Sequence, residues 1–147
     1  MSDVLFVDGR PAFREELLSR LLVALTEAAV TAEDSCVQEI SGHHGAANKA
    51  VDTGRLMGSI TWRTELGGDS PRQPVKPNPE AGPDDGIRGV AGKGTAYVGT
   101  NVSYAQHVEF GTKRMRARPF LRCGMEAAKG DIIRIFIHRL GAKEVTG

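Results

Sequence analysis

The sequence predicts an α+β fold: a long N-terminal helix, a small antiparallel β-sheet whose strands are joined by a long Gly/Pro-rich loop, and a short helix and a C-terminal helix packed on the sheet. Three observations lead there. Apolar residues recur at three- and four-residue steps near both ends of the chain, as on one face of a helix. Between them lie short stretches of period-two alternation, as in half-buried strands. The strands are separated by a segment too rich in glycine and proline to extend either one.

Taken in order, Phe13, Leu17, Leu21, Leu25, Ala28, Ala32 and Cys36 form one helical stripe, while Arg14, Glu15, Arg20, Glu27 and Glu33 fall mainly off it. Pro11 suits the first turn, where its missing N–H costs nothing, and Ser41-Gly42 is a plausible stop. A helix from Pro11 to about Ile40 is long for so small a chain, so one end is expected to project or to pack on another subunit. Ile60, Trp62, Thr64 and Leu66 alternate with Thr61, Arg63 and Glu65, which reads as a strand. From Gly67 to Gly94, 12 of 28 residues are Gly or Pro. That stretch cannot bury enough apolar surface to offset its ordering entropy and is read as a long exposed loop. Thr95–Thr100 resumes as a strand antiparallel to the first, and Tyr104–Phe110 fits a short helix ended by Gly111. Pro119 opens the last helix, with Leu121, Met125, Ala128, Ile132, Ile135 and Leu140 as its stripe and Gly124 and Gly130 as weak points.

The 147 residues fit one domain. A formal net charge of +1 supplies no global attraction to nucleic acid or membrane, so any such role must come from local clustering. No apolar run approaches the ~20 residues that span a bilayer. Met1–Arg10 carries Asp3 and Asp8 without a long apolar core, unlike a signal peptide. Cys36 and Cys123 belong to no metal-spaced pair and are read as free thiols of a protein made and used in the cytoplasm, or in something assembled there.

Catalytic and cofactor patterns fail on their spacing. The four histidines, His43, His44, His107 and His138, offer no ligand pair one helical turn apart. Gly92-Lys93-Gly94-Thr95 has Ile87 where a phosphate loop needs its first glycine, four residues intervening before Gly92, and Gly94 where it needs a hydroxyl directly after the lysine. Ser59 has no nucleophile elbow around it, and Cys123 lies on the inner part of the last helix. Asp52 and Glu109 could pair in space as the carboxylates of a hydrolase, with nothing local to support it. No enzyme, cofactor or metal site is expected. One cluster stands out: Lys113, Arg114, Arg116, Arg118 and Arg122, five basic residues in ten positions, with no aromatic between Lys113 and Arg118. It suits phosphates or an acidic protein neighbour better than it suits base reading.

Two segments carry a resemblance. Asp52-Thr53-Gly54-Arg55-Leu56 runs through Ser59-Ile60 into the first strand. Tyr97-Val98-Gly99-Thr100-Asn101-Val102-Ser103-Tyr104-Ala105-Gln106-His107-Val108-Glu109-Phe110-Gly111-Thr112 is followed by Met115 and by Ala117-Arg118-Pro119-Phe120-Leu121-Arg122. In this order they resemble the neck and tail-completion proteins, or minor tail components, of siphophages and related prophages, over about residues 50–125. Cys123-Gly124 departs from the family's usual proline and small residue, and the Gly/Pro-rich loop is longer than expected.

The resemblance implies a single neck domain over residues 1–147 and a structural role in the virion. Such a chain would form a homo-oligomeric ring, commonly a hexamer, between the head connector and the tail tube or its terminator. Arg55, Tyr104, Glu109, Phe110, Gly111, Arg118, Pro119 and Phe120 would be its structural and inter-subunit positions. Glu109 would meet Arg55 or Arg118, within the subunit or across the ring, and Tyr104, Val108 and Phe110 would pack against the sheet. Lys113, Arg114, Arg116 and Arg122 would face DNA in the lumen or an adjacent ring. The rival readings are a head-side stopper or adaptor and a small DNA-binding regulator.

Overall fold

The computed structural model describes residues 10–42, 54–66, 86–87 and 89–141. Helix α1 (Arg10–Ser41) is followed by α2 (Arg55–Ser59), strand β1 (Thr61–Arg63), strand β2 (Tyr97–Gly99), α3 (Ala105–Phe110) and α4 (Phe120–Leu140). The class is mixed, with a two-stranded antiparallel sheet in which Thr61 faces Gly99, Trp62 faces Val98 and Arg63 faces Tyr97.

The two long helices run antiparallel. Cys36 meets the start of α4, where its thiol lies 3.7 Å from the Leu121 carbonyl, while Arg139 near the other end forks onto Glu27. Small residues make this pairing close: Ala24, Ala28, Ala29, Ala32 and Cys36 on α1 are buried, as are Gly124 and Ala128 on α4. Gly124 is the point of nearest approach. A Cβ there would stand 2.5 Å from Cys36 Cα and 2.6 Å from Cys36 N, closer than backbone and side chain can pack. The expected weak point in α4 is therefore a contact that only glycine permits.

The long helices pack chiefly on one another. The partner of α4 is α1, and it is α1 that touches both strands, while α3 touches α4. The reason lies in α1, whose buried face continues through Cys36 and Ile40 and so covers the sheet and α4 together. Below it the core gathers Cys36, Ile40, Leu56, Ile60, Val102, Ala105 and Phe120, with Val98, Val108 and Leu121 against its edge.

At 32 residues α1 is ~48 Å long. Residues 11–20 are all exposed. Phe13 and Leu17, placed on the buried stripe by their spacing, are 65% and 41% accessible. The stripe runs on past the end of α4, so its periodicity is helical but its first turns have no partner within the described residues. Glu33, expected off the stripe, is buried and engaged.

The loop between the strands is in part built into the fold. Residues 67–85 and 88, most of the Gly/Pro-rich segment, lie outside the described residues. Gly86 bridges to Thr100, the Ile87 amide donates to Thr61 Oγ1 at 3.0 Å, and Arg63 Nε donates to the Ile87 carbonyl at 2.8 Å. The Ala91 amide reaches the Thr64 carbonyl at 3.0 Å. These contacts bury Thr61 as well as Ile60, so the residues at the start of β1 are covered on both faces where alternation predicted one.

Candidate functional site: the corner between α3 and α4

Helix α4 begins at Phe120, and its N-cap is Pro119, which has no side-chain group to accept the first free amides. Those amides must find acceptors. Glu109, on the inner face of α3, supplies both: the Leu121 amide donates to Oε2 at 3.0 Å and the Arg122 amide to Oε1 at 3.1 Å. A carboxylate at a helix N-terminus is favoured by the bonds and by the helix dipole together. Glu109 is thus buried, and its two oxygens accept the Leu121 and Arg122 amides, a role beyond the expected pairing with Arg55 or Arg118. Arg55, half-buried at the start of α2, and the half-buried Arg118 have partners of their own.

The chain between the two helices is folded tightly. Gly111 caps α3 at φ 76°, and a Cβ there would stand 2.7 Å from the Ala117 amide nitrogen and 2.9 Å from the Met115 carbonyl oxygen. Glycine is needed for the left-handed conformation and for the close approach together. Thr112 then organises a turn. Its hydroxyl accepts the Arg114 and Met115 amides at 3.2 and 3.1 Å, and its amide donates to the Met115 carbonyl at 2.9 Å. The Arg118 amide closes the return by donating to the Val108 carbonyl at 2.7 Å. Phe120, fully buried, anchors the end of the loop in the core.

The same corner holds the other half of the resemblance. Ser59 at the end of α2 donates to the Leu56 carbonyl at 2.8 Å and lies 2.6 Å from Thr100 Oγ1. Thr100 Oγ1 in turn accepts the Val102 amide at 3.1 Å. Ser59 is 1% exposed and committed to this network, which ties the Gly54–Ile60 segment to the turn before α3.

Not every expected position does what its spacing suggested. Val108 packs on the core, whereas Tyr104 is 37% and Phe110 79% accessible. A six-residue helix turns 100° per residue. With Ala105, Val108 and Glu109 inward, Phe110 must point away. It joins Asn101, Gln106, Glu109 and Leu121 around a shallow groove. Lys113, Arg114, Arg116 and Arg122 are exposed, and among the described residues none of the four side chains forms an ion pair.

The surroundings of two buried residues were not legible beforehand. Cys36 lies beneath this corner, and burial, with the charges of Glu109, Glu39 and Glu33, pushes its thiol up to about 12. The Gly124 contact, one residue after the half-buried Cys123, is the second. Among the described residues no group of three or more His, Cys, Asp or Glu could hold a metal ion, and no helix is long and apolar enough to cross a membrane. His43, His44 and Asp52 lie outside the described residues. Comparison with family models, with curated proteins and with solved structures gives no match.

Proposed function

We propose that this chain is a structural subunit of a long-tailed phage particle, a ring-forming neck or tail-completion protein that joins tail to head and seals the DNA path. The ring is built from copies of this chain, six in the arrangement common on the tail side, and seats against head-connector and tail-tube or terminator proteins in the virion. The role is architectural rather than catalytic.

One observation carries the reading. The two sequence segments on which the resemblance rests are far apart in the chain, yet they form one bonded unit: β1 on β2, Ser59 beside Thr100, and Glu109 capping the helix that starts at Phe120. Motif residues with no catalytic geometry that interlock in this way serve the shape of a subunit. Phe110, turned outward beside the groove, and the exposed Tyr104 supply apolar contacts for a neighbouring subunit. Contacts of this unlike-face kind close into rings when the rotation between copies permits.

Deleting the gene from its parent phage or prophage, inducing, and imaging the lysate tests the proposal. DNA-filled heads beside unattached or misshapen tails are expected. Normal, infectious particles would overturn it.

A further inference from the structure

We infer that the turn between α3 and α4, with Arg122, is a sequence-independent binding site for the phosphate backbone of double-stranded DNA. The inference deepens the assembly reading, which left these side chains facing either a DNA path or an adjacent ring, and takes the first branch.

The argument begins with what the turn does not need its cations for. Lys113, Arg114, Arg116 and Arg122 are exposed at one corner of the molecule and, among the described residues, hold no ion pair. The nearest carboxylate in the motif, Glu109, is buried and accepts the α4 amides, and it forms no ion pair with these four side chains. The net charge of the chain is only +1, which makes this corner a local excess rather than a share of a basic surface.

The turn is also stiff before anything binds. Thr112 accepts two amides, Gly111 sits against Ala117 and Met115, and the Arg118 amide is held by Val108. The positions of the cations are therefore largely set, and less ordering entropy is lost on binding.

Two features favour DNA over an acidic protein. A protein interface normally centres on apolar or aromatic side chains that can be desolvated, with charge at its rim. Residues 112–116 present exposed cations around one half-buried methionine and no exposed apolar side chain. Secondly, the amides of Thr112, Arg114, Met115 and Arg118 are all used internally. What remains is positive charge, three parts in four as guanidinium, which matches phosphate geometry without reading bases.

The test is fluorescence anisotropy of the full-length chain with two labelled 30-base-pair duplexes of unrelated sequence, across a salt series. Four neutralised phosphates predict a log–log salt slope of about −3.6, so binding should weaken roughly a hundredfold between about 50 and 200 mM salt, equally for both duplexes. K113Q, R114Q, R116Q and R122Q together should abolish the slope while leaving the thermal melt unchanged. Absence of wild-type binding at the lowest salt, or an unaltered slope in the variant, would overturn the inference. Poly-glutamate competing as well as duplex of equal charge would also overturn it and assign the turn to an acidic protein surface. Failure here leaves the assembly test untouched, and normal particles from the gene deletion leave DNA binding untouched.

Discussion

Replacing Glu109 by alanine tests whether the motif glutamate belongs to the fold of the subunit or to its surface. The substitution removes two charge-assisted bonds of 3.0 and 3.1 Å and leaves the Leu121 and Arg122 amides without their acceptor. A lost N-terminal cap costs ~1 kcal/mol, and a partly buried charge on the helix dipole contributes up to ~2 kcal/mol. The Arg122 residue is exposed, so water can reach its amide, whereas Leu121 is half-buried and its amide is harder to solvate. The sum is ~2–3 kcal/mol, a large part of the ~5–15 kcal/mol that holds a domain together. At ~2–4 °C per kcal/mol for a chain of this size, the melting temperature should fall by ~5–10 °C. Glu109→Gln keeps one acceptor oxygen but turns its amide NH2, a donor, towards the other N–H, and should fall between wild type and alanine. Differential scanning fluorimetry gives the shift, and hydrogen exchange at the Leu121 and Arg122 amides shows where it arises. An unchanged melt with unchanged exchange at those two amides would refute the capping role and return Glu109 to the inter-subunit surface.

Two further results are expected. Gly124→Ala should destabilise by ~1–3 kcal/mol, because the new Cβ meets the Cys36 backbone at 2.5 and 2.6 Å. Gly130→Ala, in the same helix with nothing within 4 Å, should stabilise by ~0.5–1 kcal/mol through helix propensity, so equal effects in paired melts would contradict the close approach. Cys36 should resist alkylation at pH 8 until the protein unfolds, since its thiol is held at about 12 against an ordinary value of 9.0. The folded state holds this proton more tightly than the unfolded state, so the contribution is full below pH 9 and fades as pH rises towards 12. Between pH 8 and 10 it should fall by ~1 kcal/mol. Cys36→Ala should lose less stability than wild type over that interval, and equal losses would show the thiol to be accessible.

How much was legible in the sequence depended on whether the signal was local. The boundaries of α1 and α4 were, because Pro11, Gly42 and Pro119 act through their own backbone angles: Gly42 takes φ 85°, and Pro119 stands at the N-cap. The pairing of β1 with β2 was also legible, from the alternation at 60–66 and the short strand at 95–100 beyond the Gly/Pro-rich segment. The five-residue helix α2 was not, since a single turn leaves no periodicity to read. Glu109 was singled out for its motif, but its place as acceptor for the α4 amides was not foreseen. Nothing in its neighbours shows that the chain returns within hydrogen-bonding distance twelve residues later.

What the sequence determined by itself is the kind and order of the two long helices, the two strands and α3, and the basic cluster at 113–122. These follow from side-chain period and from proline and glycine geometry within a few residues. Tertiary structure decided which element covers which. It put α1 across both the sheet and α4, turned Phe110 outward, made Gly124 the point of contact with Cys36, and spent the Glu109 carboxylate on α4. Each of these depends on two segments far apart in the chain competing for the same space or the same hydrogen bonds. A local pattern carries one partner of such a contact and never the pair.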